Sequence, residues 1–151
     1  MLQFKAAQKA QATSTNAGLT AGTIVMTLDG EIPVEHLSPG DRIITRDCGM
    51  AILKDIKVTQ TKATPIRIKS GALGHNRPTD DLYVAANTLI HIRDWRAEAM
   101  FGAQNATVPA EQLIDGEFIT AQEKAEMRLY SLVFDRSHII YAGGLEVVTA
   151  C

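Results

Sequence analysis

From residue 22 onward, apolar and polar residues alternate in short runs that are separated by turn signals. The run "TIVMTL" is followed by Asp29-Gly30, the strongest short signal for a two-residue hairpin turn. The run "RIITR" lies between the turns "SPGD" and "DCG", and "TPIRIKS" alternates Ile66 and Ile68 with basic residues. Strands this short at such even spacing predict an all-β sandwich or a compact barrel-like domain with minimal helix.

The second half of the chain repeats this pattern with different lengths. "LYVAANTLIHIR" predicts a strand, "AEAMFGAQ" one short helical turn, and residues 127–149 two closing strands broken at residues 135–137. Residues 106–119 echo the rhythm of residues 30–43. In both stretches an apolar residue and a proline are followed by a carboxylate, a leucine and a glycine turn.

Residues 1–17 differ in composition from the rest of the chain. They are mostly Ala, Gln, Lys, Ser and Thr, which predicts a flexible polar arm or linker ahead of a domain over residues 18–151. The arm lacks the apolar centre of a secretory signal, and no apolar run approaches the ~18 residues of a membrane span. We therefore expect no membrane partner, and a protein that is cytoplasmic or exported without a cleaved signal.

Composition excludes some classes of function. Of 151 residues, 46% are hydrophobic, which is enough for a core, and the net charge of -2 makes nucleic acid a poor partner. Cys48 and Cys151 form no disulfide framework and no CxxC pair. No Gly-rich phosphate loop precedes a helix. The sequence predicts no cofactor and no metal site.

The polar residues most often found in active sites all have structural interpretations here. No two of the four histidines stand four apart on a helix, and none lies beside a cysteine or a carboxylate cluster in the sequence. His91 and His138 occur in strand patterns. Asp29, Asp41 and Asp47 occur in turns, where an Asp side chain caps local backbone N–H groups.

The turns of residues 22–47 resemble the opening of a Hint domain, the Hedgehog/intein fold, in its bacterial branch. The matching residues are Gly22-Thr23, Asp29-Gly30, Val34-Glu35, Leu37, Pro39-Gly40-Asp41 and Thr45-Arg46-Asp47. The similarity continues in "IRIKSGALGHNRPTDDLYV" and returns in "FDRSHIIYAGGL", so it covers about residues 18–148. Together with the internal echo, it implies a compact, pseudo-two-fold all-β domain.

The resemblance also implies positions for a self-processing reaction. In Hint domains a cysteine or serine, about four residues before the first matching glycine, attacks the preceding carbonyl and converts an amide to an ester or thioester. Here that position is Gly18, which has no side chain. The family histidine that protonates the leaving nitrogen corresponds to Thr88. A second family histidine corresponds to Ser137, with His138 one residue further along.

These substitutions favour a catalytically degenerate Hint domain that acts as a structural or interaction module. Its partners would be flanking segments of its own or a larger polypeptide. The alternative is an active autocatalytic domain that cleaves or splices itself with a substitute nucleophile. Thr20 could offer a hydroxyl, with His138 or Asp135 as its partner, although a hydroxyl is a much weaker nucleophile than a thiolate. A third hypothesis is a binding module with a β fold unrelated to Hint domains.

Overall fold

The computed structural model describes residues 17–149. The predicted polar arm therefore lies outside the described residues, except for Ala17. The strands are β1 (Ile24–Thr27), β2 (Gly30–Pro33), β3 (Arg42–Thr45), β4 (Gly49–Ile52), β5 (Asp55–Ala63), β6 (Pro65–Ile68), β7 (Leu82–Ala85), β8 (Leu89–Ile92), β9 (Ala106–Pro109), β10 (Ile119–Ala121), β11 (Ala125–Val133), β12 (Ile139–Ala142) and β13 (Leu145–Val148). One α-helix, α1 (Trp95–Phe101), and two 3-10 helices, Val34–His36 and Ala110–Leu113, complete the described elements. The all-β prediction is confirmed.

Antiparallel strands form three sheets. The largest has the order β2-β1-β3-β12-β13-β8-β9, with β4 paired to β3. A second sheet has the order β10-β6-β7, and the long strands β5 and β11 pair over nine residues. Strand β2 ends at Pro33 and lies at the edge of its sheet, where the missing N–H of proline breaks no ladder.

The internal echo of the sequence is visible as two similar hairpins. Each hairpin, β1–β2 and β8–β9, runs through a proline directly into a 3-10 helix. At the first helix, the Val34 N–H donates to the Thr23 carbonyl at 2.8 Å; at the second, the Ala110 N–H donates to the Thr88 carbonyl at 2.9 Å. Thr23 and Thr88 therefore occupy equivalent places in the two halves.

Alternating apolar residues build the core. Val25 on β1 and Ile66 and Ile68 on β6 are no more than 1% exposed, as expected when every second side chain of a strand points inward. Leu19 extends this core ahead of β1. Its N–H donates to the Tyr130 carbonyl at 2.9 Å and its carbonyl accepts from the Tyr130 N–H at 2.8 Å, which fixes the start of the domain against β11.

Two sequence predictions about strands are wrong in detail. "LYVAANTLIHIR" forms two strands, β7 and β8, because a turn closes where the Thr88 N–H donates to the Ala85 carbonyl. The closing segment forms three strands, because a second break falls at Gly143 and Gly144, whose φ angles are 63° and 89°. Two adjacent residues with positive φ make the tight turn of a hairpin, and this pair marks it in the sequence.

The predicted single helical turn is α1, which has seven residues. The Asp94 side chain caps its first turn by accepting from the Arg96 N–H at 3.0 Å, and Gly102 ends it with a φ of 66°. No helix within residues 17–149 has the length and apolar character needed to cross a membrane.

Candidate functional site

Gly18 and Thr88 lie in direct contact, although 70 residues separate them in the sequence. Gly18 is buried just before the bridge that Leu19 makes to β11, and Thr88 ends the turn between β7 and β8. Thr88 is only 3% exposed. The structure thus brings together the two residues that the sequence resemblance aligned with the family nucleophile and with one family histidine.

The Thr88 hydroxyl makes two hydrogen bonds, both to the backbone of Gly18. Thr88 Oγ1 accepts from the Gly18 N–H at 2.9 Å and donates to the Gly18 carbonyl at 3.1 Å. The Gly18 nitrogen belongs to the Ala17–Gly18 peptide bond, the bond that a nucleophile at position 18 would break. A neutral hydroxyl that accepts from this N–H cannot deliver a proton to the same nitrogen.

The space around Gly18 suits glycine. Its φ is 143°, a conformation that other residues rarely adopt. A Cβ atom placed on Gly18 would lie 3.0 Å from Leu129 Cβ, 3.2 Å from the Tyr130 carbonyl oxygen and 3.3 Å from Ser131 Oγ. A side chain at position 18 would therefore strain the backbone and require Leu129, the Tyr130 carbonyl or Ser131 to shift by a few tenths of an ångström.

The suggested substitute residues are occupied elsewhere. Thr20 Oγ1 donates to the Tyr83 carbonyl at 2.9 Å, and Asp135 forms an exposed ion pair with Lys54 at 2.9 Å. Within residues 17–149, no hydrogen bond joins Thr20 to either Asp135 or His138. The structure therefore does not bring the substitute nucleophile and its suggested partners together.

Ser137 and His138 both form hydrogen bonds with Thr149, near the end of the chain. Ser137 Oγ donates to the Thr149 carbonyl, and the His138 N–H donates to Thr149 Oγ1 at 3.0 Å. The His138 ring is buried, packs edge-on against Phe134 and donates from Nδ1 to Asp47 Oδ2 at 2.8 Å. These contacts hold the His138 ring in one orientation.

Asp47 is not the local turn cap that the sequence predicts. Its Oδ1 accepts from the Ile139 N–H at 2.9 Å, and its Oδ2 contacts His138, so it links the β3–β4 turn to β12. Burial alone would raise the pKa of Asp47, but the hydrogen bonds from Ile139 and His138 outweigh it and hold the pKa below its usual value. By contrast, Asp41 does cap its own turn, where its Oδ2 accepts from the Ser38 N–H.

Cys48 also lies against His138, which sequence spacing could not indicate. Its Sγ is 3.6 Å from His138 Nδ1 and 3.5 Å from Thr45 Oγ1. No histidine is next to a cysteine in the sequence. In the folded structure, however, Cys48 and His138 are in contact, although 90 residues separate them.

A buried carboxylate at Glu146 is the second feature that sequence reasoning missed. The Glu146 side chain is 3% exposed and pairs with Arg93 at 2.6 Å, Arg77 at 3.1 Å and Arg46 at 3.5 Å. Burial opposes ionisation, but the hydrogen bonds and charge of Arg93, together with the other two guanidinium groups, hold the pKa of Glu146 below its usual value. The only sequence signal is a single acid within the apolar run "LEVV".

Comparison with known proteins agrees with this fold. The family model described as "Hint domain" matches residues 17–150. The chain is similar to the solution structure of a bacterial intein-like domain from Clostridium thermocellum, with a TM-score of 0.61 and 17% identity over 91% of this chain and 100% of that one.

Two intein structures are similar to the same extent. The TvoVMA intein has a TM-score of 0.61 and 15% identity over 89% of this chain and 98% of that one. A DnaB intein from Synechocystis has a TM-score of 0.58 and 11% identity over 89% of this chain and 99% of that one. At these identities the likeness shows a shared fold. No curated protein matches the chain.

Proposed function

Since the chain belongs to the Hint domain family through the match over residues 17–150, we propose that it is a Hint domain that no longer processes itself. In this proposal it serves as a structural or interaction module for the polypeptide segments that flank it. The contact between Gly18 and Thr88 is the observation that carries the proposal.

An acyl shift needs a nucleophile at the scissile bond and a donor for the leaving nitrogen. Gly18 supplies no nucleophile, and the Cβ atom that a cysteine or serine would add there lies 3.0 Å from Leu129 Cβ and 3.2 Å from the Tyr130 carbonyl oxygen. Without an attacking group the covalent route does not exist. The amide at Ala17–Gly18 then remains as stable as any other peptide bond.

The proton donor is missing as well. Thr88 Oγ1 uses its proton for the Gly18 carbonyl and receives the Gly18 N–H, so the two bonds hold the peptide in place. Loss of a general acid typically costs ~10²–10⁴-fold in rate. In the proposed role, Thr88 is a structural residue that satisfies two buried backbone groups.

A trapping experiment tests this proposal. The protein is incubated with hydroxylamine, which cleaves both esters and thioesters, or with dithiothreitol, which cleaves thioesters, across neutral pH; neither reagent cleaves an ordinary amide under these conditions. We expect no release of residues 1–17, while circular dichroism shows that the domain is folded throughout.

Release of a fragment ending at Ala17, or at Leu19 if the Thr20 hydroxyl attacks the carbonyl that precedes it, would contradict the proposal and favour an active domain with a substitute nucleophile. A Thr20→Val variant then identifies the residue responsible. Loss of release in that variant would assign the attack to Thr20, whose hydroxyl otherwise donates to the Tyr83 carbonyl.

A further inference from the structure

Three side chains with different donor atoms meet at the end of β3. Asp47 and Cys48 belong to the turn between β3 and β4, and His138 stands just before β12. Their donor atoms, a carboxylate oxygen, Cys48 Sγ and His138 Nδ1, all lie within 4.8 Å of one another. Gly18 and Thr88 contribute no donor atom to this cluster, although its His138 stands one residue after Ser137, which the resemblance aligns with the second family histidine.

The geometry does not suit a nucleophile activated by a histidine. Such a relay uses both ring nitrogens, one facing the nucleophile and the other facing the carboxylate that orients the ring. Here Asp47 Oδ2 and Cys48 Sγ both approach the same atom, His138 Nδ1, at 2.8 Å and 3.6 Å. Three donor atoms within 4.8 Å of one another are close enough to bind a single cation between them.

We propose that Asp47, Cys48 and His138 form a binding site for a thiophilic divalent metal ion of the zinc class. Imidazole nitrogen, thiolate sulfur and carboxylate oxygen are the three donor types that zinc takes in proteins. Tetrahedral bond angles with the usual zinc bond lengths place sulfur and nitrogen ligands about 3.6 Å apart. The observed separation of Cys48 Sγ and His138 Nδ1 is 3.6 Å.

The carboxylate needs only a small adjustment. Oxygen and nitrogen ligands of a tetrahedral zinc ion stand about 3.4 Å apart, whereas Asp47 Oδ2 is now 2.8 Å from His138 Nδ1 in a hydrogen bond. On binding, the Nδ1 proton moves to Nε2 by exchange with water, and the Cys48 thiol releases its proton to solvent. Each bound ion therefore displaces one proton from the protein.

The surroundings hold the ligands in place. The second oxygen of Asp47 accepts from the Ile139 N–H at 2.9 Å, and the backbone N–H of His138 donates to Thr149 Oγ1. Outer contacts of this kind orient metal ligands and tune their affinity. His138 is 5% exposed while Cys48 is exposed, so an ion can enter from the Cys48 side and keep water as its fourth ligand.

Cobalt titration of the reduced full-length protein tests the site. A thiolate ligand gives Co²⁺ a charge-transfer absorption band, and added Zn²⁺ displaces the cobalt and removes the band. We expect one equivalent of cobalt per chain. Cys48→Ser should abolish the band and weaken zinc binding at least about tenfold, because it removes a direct ligand.

Cys151→Ser is the matched control, since it also removes one thiol, and Cys151 lies outside the described residues. This variant should keep both the band and the affinity. Asp47→Asn should weaken zinc binding while the cobalt band remains. The folded state of each variant is checked by circular dichroism, and the exposed position of Cys48 favours a folded Cys48→Ser protein.

Thermal melting gives a second readout. Excess Zn²⁺ should raise the melting temperature of the natural protein and of Cys151→Ser, and not that of Cys48→Ser, because an ion that binds only the folded state stabilises it. Three results overturn the proposal: no binding at 1:1 stoichiometry, equal binding by Cys48→Ser, or loss of the band in Cys151→Ser.

Discussion

At the scale of single residues, Thr23 and Thr88 occupy equivalent positions before the two 3-10 helices, but their hydroxyl groups differ in hydrogen bonding. Both are 3% exposed and both carbonyls accept from the first N–H of a 3-10 helix. The Thr88 hydroxyl bonds twice to Gly18, whereas Thr23 Oγ1 is buried without a hydrogen-bond partner among the described residues. Substituting each threonine by valine therefore measures what the hydrogen bonds of the Thr88 hydroxyl contribute to stability.

We expect Thr88→Val to lower the free energy of unfolding by about 1–3 kcal/mol, because it leaves the buried N–H of Gly18 without an acceptor. Thr23→Val makes the same change of side chain where no bond is lost, so it should be neutral or stabilising. Urea denaturation of both variants measures the difference. Equal effects would mean that the Thr88 hydroxyl does not hold Gly18.

Gly18 itself is predicted to resist any side chain. Gly18→Ala should destabilise the fold by roughly 1–3 kcal/mol from backbone strain at a φ of 143°, with a further cost from contact with Leu129. Gly22→Ala is the control, because Gly22 also has a positive φ, and a Cβ there meets nothing within 4 Å. The denaturation midpoint of Gly18→Ala should be the lower one. Equal denaturation midpoints for Gly18→Ala and Gly22→Ala would contradict the tight packing around Gly18.

At the scale of elements, sequence patterns located most strands and failed where distant segments meet. The alternation of Ile66 and Ile68 was enough to predict β6, because a strand buries every second side chain. No local pattern could place Asp47 beside His138 or Glu146 beside three arginines. Those contacts depend on how β3, β12 and β13 pair, which is set by tertiary packing across as many as 91 residues.

The Glu146 cluster ties several elements together, and its charge makes the fold sensitive to acid. The pKa of Glu146 in the folded state lies below the usual value of 4.5 for a glutamate, so the stability that the ionised carboxylate contributes is fully present above pH 4.5. This contribution is lost as the pH falls through the lower, folded-state pKa. Acidification therefore weakens the junction of β13 with the Arg93 and Arg77 segments.

We expect Glu146→Gln to cost about 3 kcal/mol at pH 7, because it leaves the guanidinium groups around Arg93 without their buried counter-charge. The difference between the natural protein and this variant should begin to shrink as the pH falls below about 4.5, where the carboxyl group of the unfolded chain binds a proton, and should disappear below the lower pKa of the folded state. Urea denaturation at a series of pH values measures it. A difference that does not change with pH would show that the ionised form of Glu146 is not the stabilising one.

At the scale of the whole molecule, the chain has the Hint fold. The resemblance carried by the turns of residues 22–47 led to the correct fold, because glycine, proline and aspartate fix tight turns through local geometry. The contact between Gly18 and Thr88 could not be predicted from the sequence. The sequence indicated Gly18 and Thr88 as separate losses, and the structure joins them by two hydrogen bonds.

The integrity of the Ala17–Gly18 peptide bond tests the central claim most directly. Full-length protein is purified without added thiols, held folded at neutral pH for days, and its intact mass is followed by mass spectrometry. We expect a single species of 16.4 kDa throughout. The appearance of a species beginning at Gly18, with the matching fragment of residues 1–17, would contradict it.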